Sequence, residues 1–270
     1  MCGAPVLAFH MTTLNTTPPI SEVTALAAAA AATPSFRPLY EQIKLLLTQS
    51  LVAGEWKPGE PIPSEIELAA RYGVSQGTVR KAIDALAAEH ILLRRQGKGT
   101  YVASHNTPTH QYRFLRMQSD DGDTDAPTTE WVSVERVRVA ADVAAALSLR
   151  VGATAHHITR VLRFAGKPII FDEIYLAAAL FPGLTRARLE ESKGSIYSFL
   201  ELAYGVRMIR GEEQIKAVAA DRALAKYLNV PTGTPLLSVD RIAYTYGDKP
   251  VEWRRGMCLT HGFSYRNELA

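Results

Sequence analysis

The chain has 270 residues and a mass of 29.6 kDa, a length that fits two small domains or one large one. Apolar residues make up 47%, enough for a sizeable core; charged residues make up 21%, with a net charge of +3, which excludes a disordered polyelectrolyte and binding to polyanions by bulk charge. Two cysteines, Cys2 and Cys258, cannot build a disulfide framework or a four-cysteine zinc site, so a disulfide-dense secreted scaffold is excluded and a reducing cytoplasm is expected.

Residues 25–32 form an alanine-rich run, and no Lys or Arg precedes Arg37. A secretory signal needs a basic start, and the run is too short to span a bilayer. Residues 1–35 therefore read as a poorly ordered leader, with a short helix over 21–32. No other segment approaches about 18 consecutive apolar residues, so no membrane association is expected.

Residues 36–105 read as three helices and a hairpin. Pro38 suits a first helical turn, Leu39, Ile43, Leu46, Leu47 and Leu51 recur at helical spacing, and Gly54 stops the run. Ser64 followed by Glu67 is a capping box, and Gly73 ends the helix it opens. Ser75 is the next cap, with Val79, Ile83 and Leu86 as the apolar stripe that follows. Two short helices across that turn make a helix-turn-helix. A strand over residues 91–95, a turn over 96–99 and a return strand over 100–102 add a hairpin, which completes a winged helix.

Residues 106–127 read as a linker: turn formers, a short stretch of strand character over 112–117, then an acidic run. Residues 128–270 alternate strand and helix, and they repeat. Val139-Ala140-Ala141-Asp142 recurs as Val218-Ala219-Ala220-Asp221, Arg160-Val161 as Arg241-Ile242, and Lys167-Pro168 as Lys249-Pro250. Two related halves are expected, each a helix plus a β-hairpin, with the hairpins sharing one antiparallel sheet. Between them lies a helix from Ser195 to Tyr204, stopped by Gly205.

The winged helix carries the clearest chemistry. Residues 71–98 hold six basic and two acidic residues, a local net charge of +4 that exceeds the total for the chain. A reading helix presents short polar side chains at its start and bases along its flank, as Ser75, Gln76, Thr78, Arg80 and Lys81 do. Gln suits adenine and Arg suits guanine. Gly97 and Gly99 let the wing tip approach a groove, and Lys98, with Arg95 and Gln96 beside it, faces phosphate. With the helix cap Ser64, these residues form the candidate DNA-binding set. His156 and His157 are adjacent on a strand and face opposite ways, so they cannot chelate one metal together. Cys258 reads as core, and Trp56, Trp131 and Trp253 as packing residues. No nucleophile elbow, phosphate-binding glycine loop or helical metal motif occurs.

The motifs Leu39-Tyr40-x-Gln42-Ile43, Pro58-Gly59-x3-Pro63-Ser64-Glu65, Leu68-Ala69-x3-Gly73-Val74-Ser75, Thr78-Val79-Arg80-Lys81-Ala82 and Arg94-x-Gln96-Gly97-Lys98-Gly99-Thr100-Tyr101-Val102 resemble the GntR family of bacterial transcription regulators. The resemblance implies DNA contacts from the second and third helices and the wing. It departs at Ile66 and Gln76, where arginines are usual, which leaves more of the reading to Arg80.

The second block is similar to the UTRA ligand-binding domain of the HutC subfamily. The similarity rests on Arg160-x2-Arg163-x2-Gly166-Lys167-Pro168, Glu173-x-Tyr175-Leu176, Phe181-Pro182-Gly183-Leu184, Ser195-Ile196-Tyr197, Tyr204-Gly205-Val206 and Pro250-Val251-Glu252. It implies an α+β protein, a winged helix-turn-helix followed by a chorismate-lyase-like antiparallel-sheet domain, with a small-molecule effector pocket suited to anions. Arg160 and Arg163 would clamp a carboxylate or phosphate. Ser195 and Tyr197 sit at a helix start, an anion site. Glu173 or Glu252, with Tyr175 nearby, would accept from ligand hydroxyls or an amine. Strand alternation allows only one of Arg160 and Arg163 to point inward.

The expected protein is a transcription regulator acting as a repressor, without cofactor. It would bind palindromic operator DNA as a homodimer, under control of an effector in its C-terminal domain. Set against this are an enzyme with a lyase-like C-terminal domain, for which no acid/base pair can be placed, and a constitutive DNA-binding protein whose C-terminal domain only dimerises. Activation in place of repression depends on operator position.

Overall fold

The computed structural model describes residues 37–106, 112, 114–122, 125–192 and 194–267; the expected leader and its helix lie outside them. Helix α1, Leu39–Val52, turns Ile43, Leu47 and Leu51 inward along one i, i+4, i+8 row. Leu39, at the first residue of the helix on the same row, and Leu46, which lies off the row, are exposed. Helix α2, Glu65–Tyr72, opens under a complete capping box: Glu67 N–H donates to the Ser64 hydroxyl at 3.3 Å and Ser64 N–H to Glu67 Oε2 at 2.8 Å. Helix α3, Gln76–Ala88, is capped by Ser75 and buries Val79, Ala82, Ile83 and Leu86. The wing is β1, Leu92–Arg95, paired antiparallel with β2, Gly99–Val102. These elements share one core, and Ile209 from the C-terminal block packs into it.

Of the strand character expected over 112–117, the described residues show it at Met117, where β3, Met117–Ser119, begins. This strand pairs with the last one, β10, Phe263–Tyr265, and so ties the connecting segment to the end of the chain. The remaining strands form one antiparallel sheet in the order β4-β5-β6-β9-β8-β7. The first half comprises β4 (Thr128–Arg138), helix α4 (Ala141–Ala146), β5 (Thr154–Phe164) and β6 (Lys167–Ala177). The second repeats it with β7 (Arg210–Ala219), α7 (Arg222–Leu228), β8 (Pro235–Thr245) and β9 (Lys249–Cys258). Each half is thus a strand, a helix and a hairpin, one edge strand more than the helix and hairpin read from the repeat. The hairpins meet where β6 pairs with β9. Between the halves come α5, Arg186–Glu191, and α6, Ile196–Tyr204, which Ser195 caps and Gly205 closes.

Period-two alternation gives the sheet two faces. On one, Ile158, Ile174 and Leu176 pack with Ile196, Tyr197 and Leu200 of α6. On the other, α4 covers Ala155 with Val143 and Leu147, and α7 covers Phe171 and Leu236 with Ala225 and Leu228. The architecture is α+β: a winged helix followed by an antiparallel sheet domain. Among the described residues no helix is long and apolar enough to cross a membrane.

Candidate DNA-reading face and ligand pocket

The start of α3 is a small hydrogen-bonded unit. Ser75 accepts from Thr78 N–H at 3.2 Å, and the two hydroxyls lie 2.9 Å apart. One carboxylate then gathers the side chains beside it. Glu65, at the first position of α2, accepts on Oε2 from Arg80 Nε at 2.9 Å and from Gln76 Nε2 at 3.2 Å. Arg80 Nη2 also reaches Oε2 at 2.9 Å. Glu65 Oε1 accepts from Arg94 Nη1 at 3.0 Å, and Arg94 Nε donates to Asp84 of α3 at 2.9 Å. The Arg80 guanidinium holds the Glu65 carboxyl below its ordinary range, with Arg94 and Gln76 adding to the effect against partial burial.

Arg80 stays 56% exposed on its side chain, so it remains available to a partner. Lys81 lies with Nζ 4.3 Å from the Tyr40 ring centre, against α1, and Arg95 lies 4.3 Å over Tyr101. At the wing tip Arg95, Gln96, Gly97, Lys98 and Gly99 are all exposed. Gly97 and Gly99 have φ of +69° and +99°, a backbone that a side chain would strain. Ser64, Ile66, Gln76 and the wing tip line one shallow groove, in which Ile66 is 68% exposed.

The second site is a cavity of about 740 Å³, including its open mouth, between the sheet and α6. Arg160, Asp172, Arg241, Arg254, Ser195, Tyr197 and Arg116 are among its lining residues, with Phe114, Leu115, Met117 and Tyr265 as its apolar and aromatic wall. Arg160 donates to Asp172 Oδ2 from Nε at 2.8 Å, with Nη2 at 2.7 Å from the same oxygen. Arg254 Nη1 lies 3.5 Å from Asp172 Oδ2, and its Nη2 donates to Glu252 Oε2 at 3.0 Å. Tyr197 donates to Glu252 Oε1 at 2.6 Å. Arg241 Nε donates to Glu213 at 2.6 Å, and the Tyr265 hydroxyl binds the same carboxylate.

Burial alone would raise the Asp172 carboxyl, but Arg160 and Arg254 together hold it down, so it is ionised. Burial and the neighbouring Glu252 push the Tyr197 hydroxyl up to about 12, so it stays a donor. Four arginines line the cavity, and the carboxylates paired with them are three, Asp172, Glu213 and Glu252. Among the described residues Arg116 has no carboxylate partner, and Arg254 Nε is buried without an acceptor.

The expected effector residues divide accordingly. Arg160, Ser195 and Tyr197 line the cavity, and Glu252 stands behind Tyr197. Arg163, Glu173 and Tyr175 do not line it. Arg163 pairs with Glu130 on the outer side at 2.7 Å, and a register shift between Leu162 and Arg163 does not bring it inward. Glu173 meets His157 at 3.6 Å, and Tyr175 stacks between His157 and Trp253, on the far face of the sheet. The reason is alternation: positions 170 and 172 line the cavity, so 173 and 175 fall on the other face. Arg241, Arg254 and Asp172 were missed as site residues. The internal repeat marks Arg241, since it stands where Arg160 stands in the first half. His156 is buried and its Nε2 meets Phe181 O at 2.9 Å, while His157 faces the other way. Among the described residues no cluster fit for a metal ion occurs.

A buried junction joins the two sites. Glu201 of α6 accepts from His105 N–H and from the Asn106 amide, each at 3.0 Å, and binds the Ser104 hydroxyl. Ser198, one turn earlier, donates to His105 O at 2.8 Å. The His105 ring packs 5.6 Å from Tyr197 and 5.9 Å from Phe114, both pocket residues. Arg207, with its side chain 2% exposed, lies 3.6 Å from Glu201 and donates to His90 O at 2.8 Å and Ile91 O at 3.3 Å, just past the end of α3. A cation is favoured at a helix C-terminus.

Residues 39–102 match the gntR family of bacterial regulatory proteins, and residues 123–264 match the UTRA domain. A chain of Escherichia coli (strain K12) assigned as the fructoselysine utilization operon transcriptional repressor is 30% identical over 221 residues, 82% of this chain and 90% of that one. The histidine utilization repressor of Pseudomonas putida is 26% identical over 236 residues, 87% of this chain and 91% of that one. The crystal structure of the ligand-binding domain of a GntR-family regulator from Bordetella bronchiseptica superimposes with a TM-score of 0.58 at 42% identity, covering 59% of this chain and 99% of that one. YydK of Bacillus subtilis shares the fold over 87% of this chain and all of its own, with a TM-score of 0.52 at 16% identity. With a winged helix, a sheet domain and no enzyme among these relatives, the chain belongs to the GntR family of transcription regulators, in the branch that carries a UTRA domain.

Proposed function

We propose that this chain is a cytoplasmic repressor that binds a palindromic operator as a homodimer and releases it when a small anion occupies the cavity between the sheet and α6. Residues 36–105 act as the DNA-binding module, 106–127 as the linker, and 128–270 as the effector-binding and dimerisation module. The observation that carries the effector reading is the charge at the cavity: four guanidiniums line it, Asp172 is the carboxylate among the lining residues, Glu213 and Glu252 pair with Arg241 and Arg254 from behind the wall, and Arg254 Nε lacks an acceptor. A phosphate or carboxylate supplies that acceptor and neutralises the surplus. Ser195 at the start of α6 adds the positive end of a helix.

The junction supports a route from cavity to DNA. Tyr197 in the cavity wall and Glu201 at residues 104–106 stand one turn apart on α6. An effector that moves Tyr197 moves the anchor of the winged helix, and with it the spacing of two reading helices in a dimer. Operator affinity then changes by the ratio of the effector affinities for the two arrangements, and no more.

A thermal-shift screen with sugar phosphates, carboxylates and amines tests the reading. Anions should raise Tm in a concentration-dependent way and amines should not. If no anion raises Tm, the cavity is not an effector site and the C-terminal domain only dimerises. If amines alone raise it, the carboxylates and not the arginines define the ligand.

A further inference from the structure

We propose that Glu65 is a positioning residue for base reading, which fixes how Arg80 meets DNA. A guanidinium has two forked edges, the side edge Nε/Nη2 and the end edge Nη1/Nη2. Glu65 Oε2 takes the side edge, at 2.9 Å from both Nε and Nη2. The end edge is left as the fork that fits guanine O6 and N7. The same carboxylate holds the Gln76 amide nitrogen, which directs the amide oxygen away from Glu65. Its other oxygen holds Arg94 of the wing, which Asp84 clamps from the far side. One acidic side chain thus sets Arg80 and Gln76 of α3 and ties them to Arg94 of the wing before DNA arrives. It also places a negative charge on a face that must meet phosphates. That charge weakens general binding, and sharper discrimination is what it gives in return.

This inference rests on α3 being the reading helix, and the test separates the two. The full-length protein is titrated against three duplexes: the operator selected by the wild type, copies with single base-pair changes, and an unrelated sequence. Arg80→Ala should lose discrimination at one guanine-containing step. Glu65→Gln should lose discrimination at that same step, by about tenfold, while affinity for the unrelated duplex holds or rises. Glu65→Asp keeps the charge but draws the carboxylate back by a methylene, so it should lose discrimination as well. If Glu65→Gln weakens all duplexes equally, or keeps full discrimination, the positioning role is wrong. If Glu65→Asp alone keeps discrimination, charge and not geometry is what matters, which also overturns it. If Arg80→Ala discriminates as the wild type does, α3 is not reading there and both ideas fall.

Discussion

Replacing Arg207 by leucine removes a cation that the fold encloses between the two domains. The guanidinium donates to His90 O at 2.8 Å and Ile91 O at 3.3 Å, and it lies 3.6 Å from Glu201. Breaking a buried ion pair costs roughly 3–5 kcal/mol, because the remaining charge is stranded. Here Glu201 keeps three donors, the Ser104 hydroxyl, the His105 N–H and the Asn106 amide, so the lower end applies, about 3 kcal/mol. At roughly 2–4 °C per kcal/mol for a domain of this size, the melting temperature should fall by about 6–12 °C. Circular dichroism at rising temperature reads the loss. Operator titration below the transition, with and without an anion that raises the wild-type Tm, reads the coupling. The variant should still bind DNA, since Ser75 and the reading side chains are untouched, but its affinity should no longer respond to the anion. A Tm shift under about 2 °C would refute the junction as a brace. A full response to the anion in a folded variant would refute it as the route.

Three further outcomes follow from the same geometry. Lys98→Ala at the exposed wing tip should weaken binding to every duplex and lower the salt slope by about one; an unchanged slope removes Lys98 from the phosphate contacts. Arg160→Met leaves buried Asp172 with Arg254 alone at 3.5 Å, so ligand-induced stabilisation should vanish, whereas Arg163→Ala removes an outer pair with Glu130, worth under about 1 kcal/mol, and a bond to Gly166 O, and should bind ligand normally. Loss of ligand binding in Arg163→Ala would place the site on the wrong face of the sheet. Burial holds the His156 imidazole below its ordinary range. Below about pH 6.5 the unfolded chain takes up a proton that the folded one refuses, so this contribution to stability is present above that pH and lost as pH falls. Urea midpoints at about pH 7.5 and about pH 5.5 should therefore differ less in His156→Gln; an unchanged difference locates the titration elsewhere.

Local signals were legible in the sequence, and gathered ones were not. The caps Ser64 with Glu67, Ser75, and Ser195 with Gly205 are short-range hydrogen-bonding devices, so each marks its helix end directly. The repeat exposed the two halves because each must build the same hairpin. The edge strands β4 and β7 were hidden because an edge strand carries charge, as Glu130, Glu135 and Arg136, or Glu212, Glu213 and Lys216 do. Alternation said that only one of Arg160 and Arg163 could point inward, but not which, and Glu173 and Tyr175 were drawn in by a motif that spans both faces. Asp172 and Arg254 become pocket residues only through pairing of strands about 80 residues apart, visible as the Asp172 to Gly256 register. Arg207 carries no sequence signal, since its partners His90 and Ile91 stand more than a hundred residues away.

The most direct test of effector-controlled operator binding is selection of genomic fragments by the purified protein at about 150 mM salt, where phosphate-driven background is suppressed. It is run twice, without and with an anion that raises the melting temperature. A palindromic motif enriched in the first run and lost in the second is the expected result. The same enrichment in both runs, or no motif in either, would contradict it.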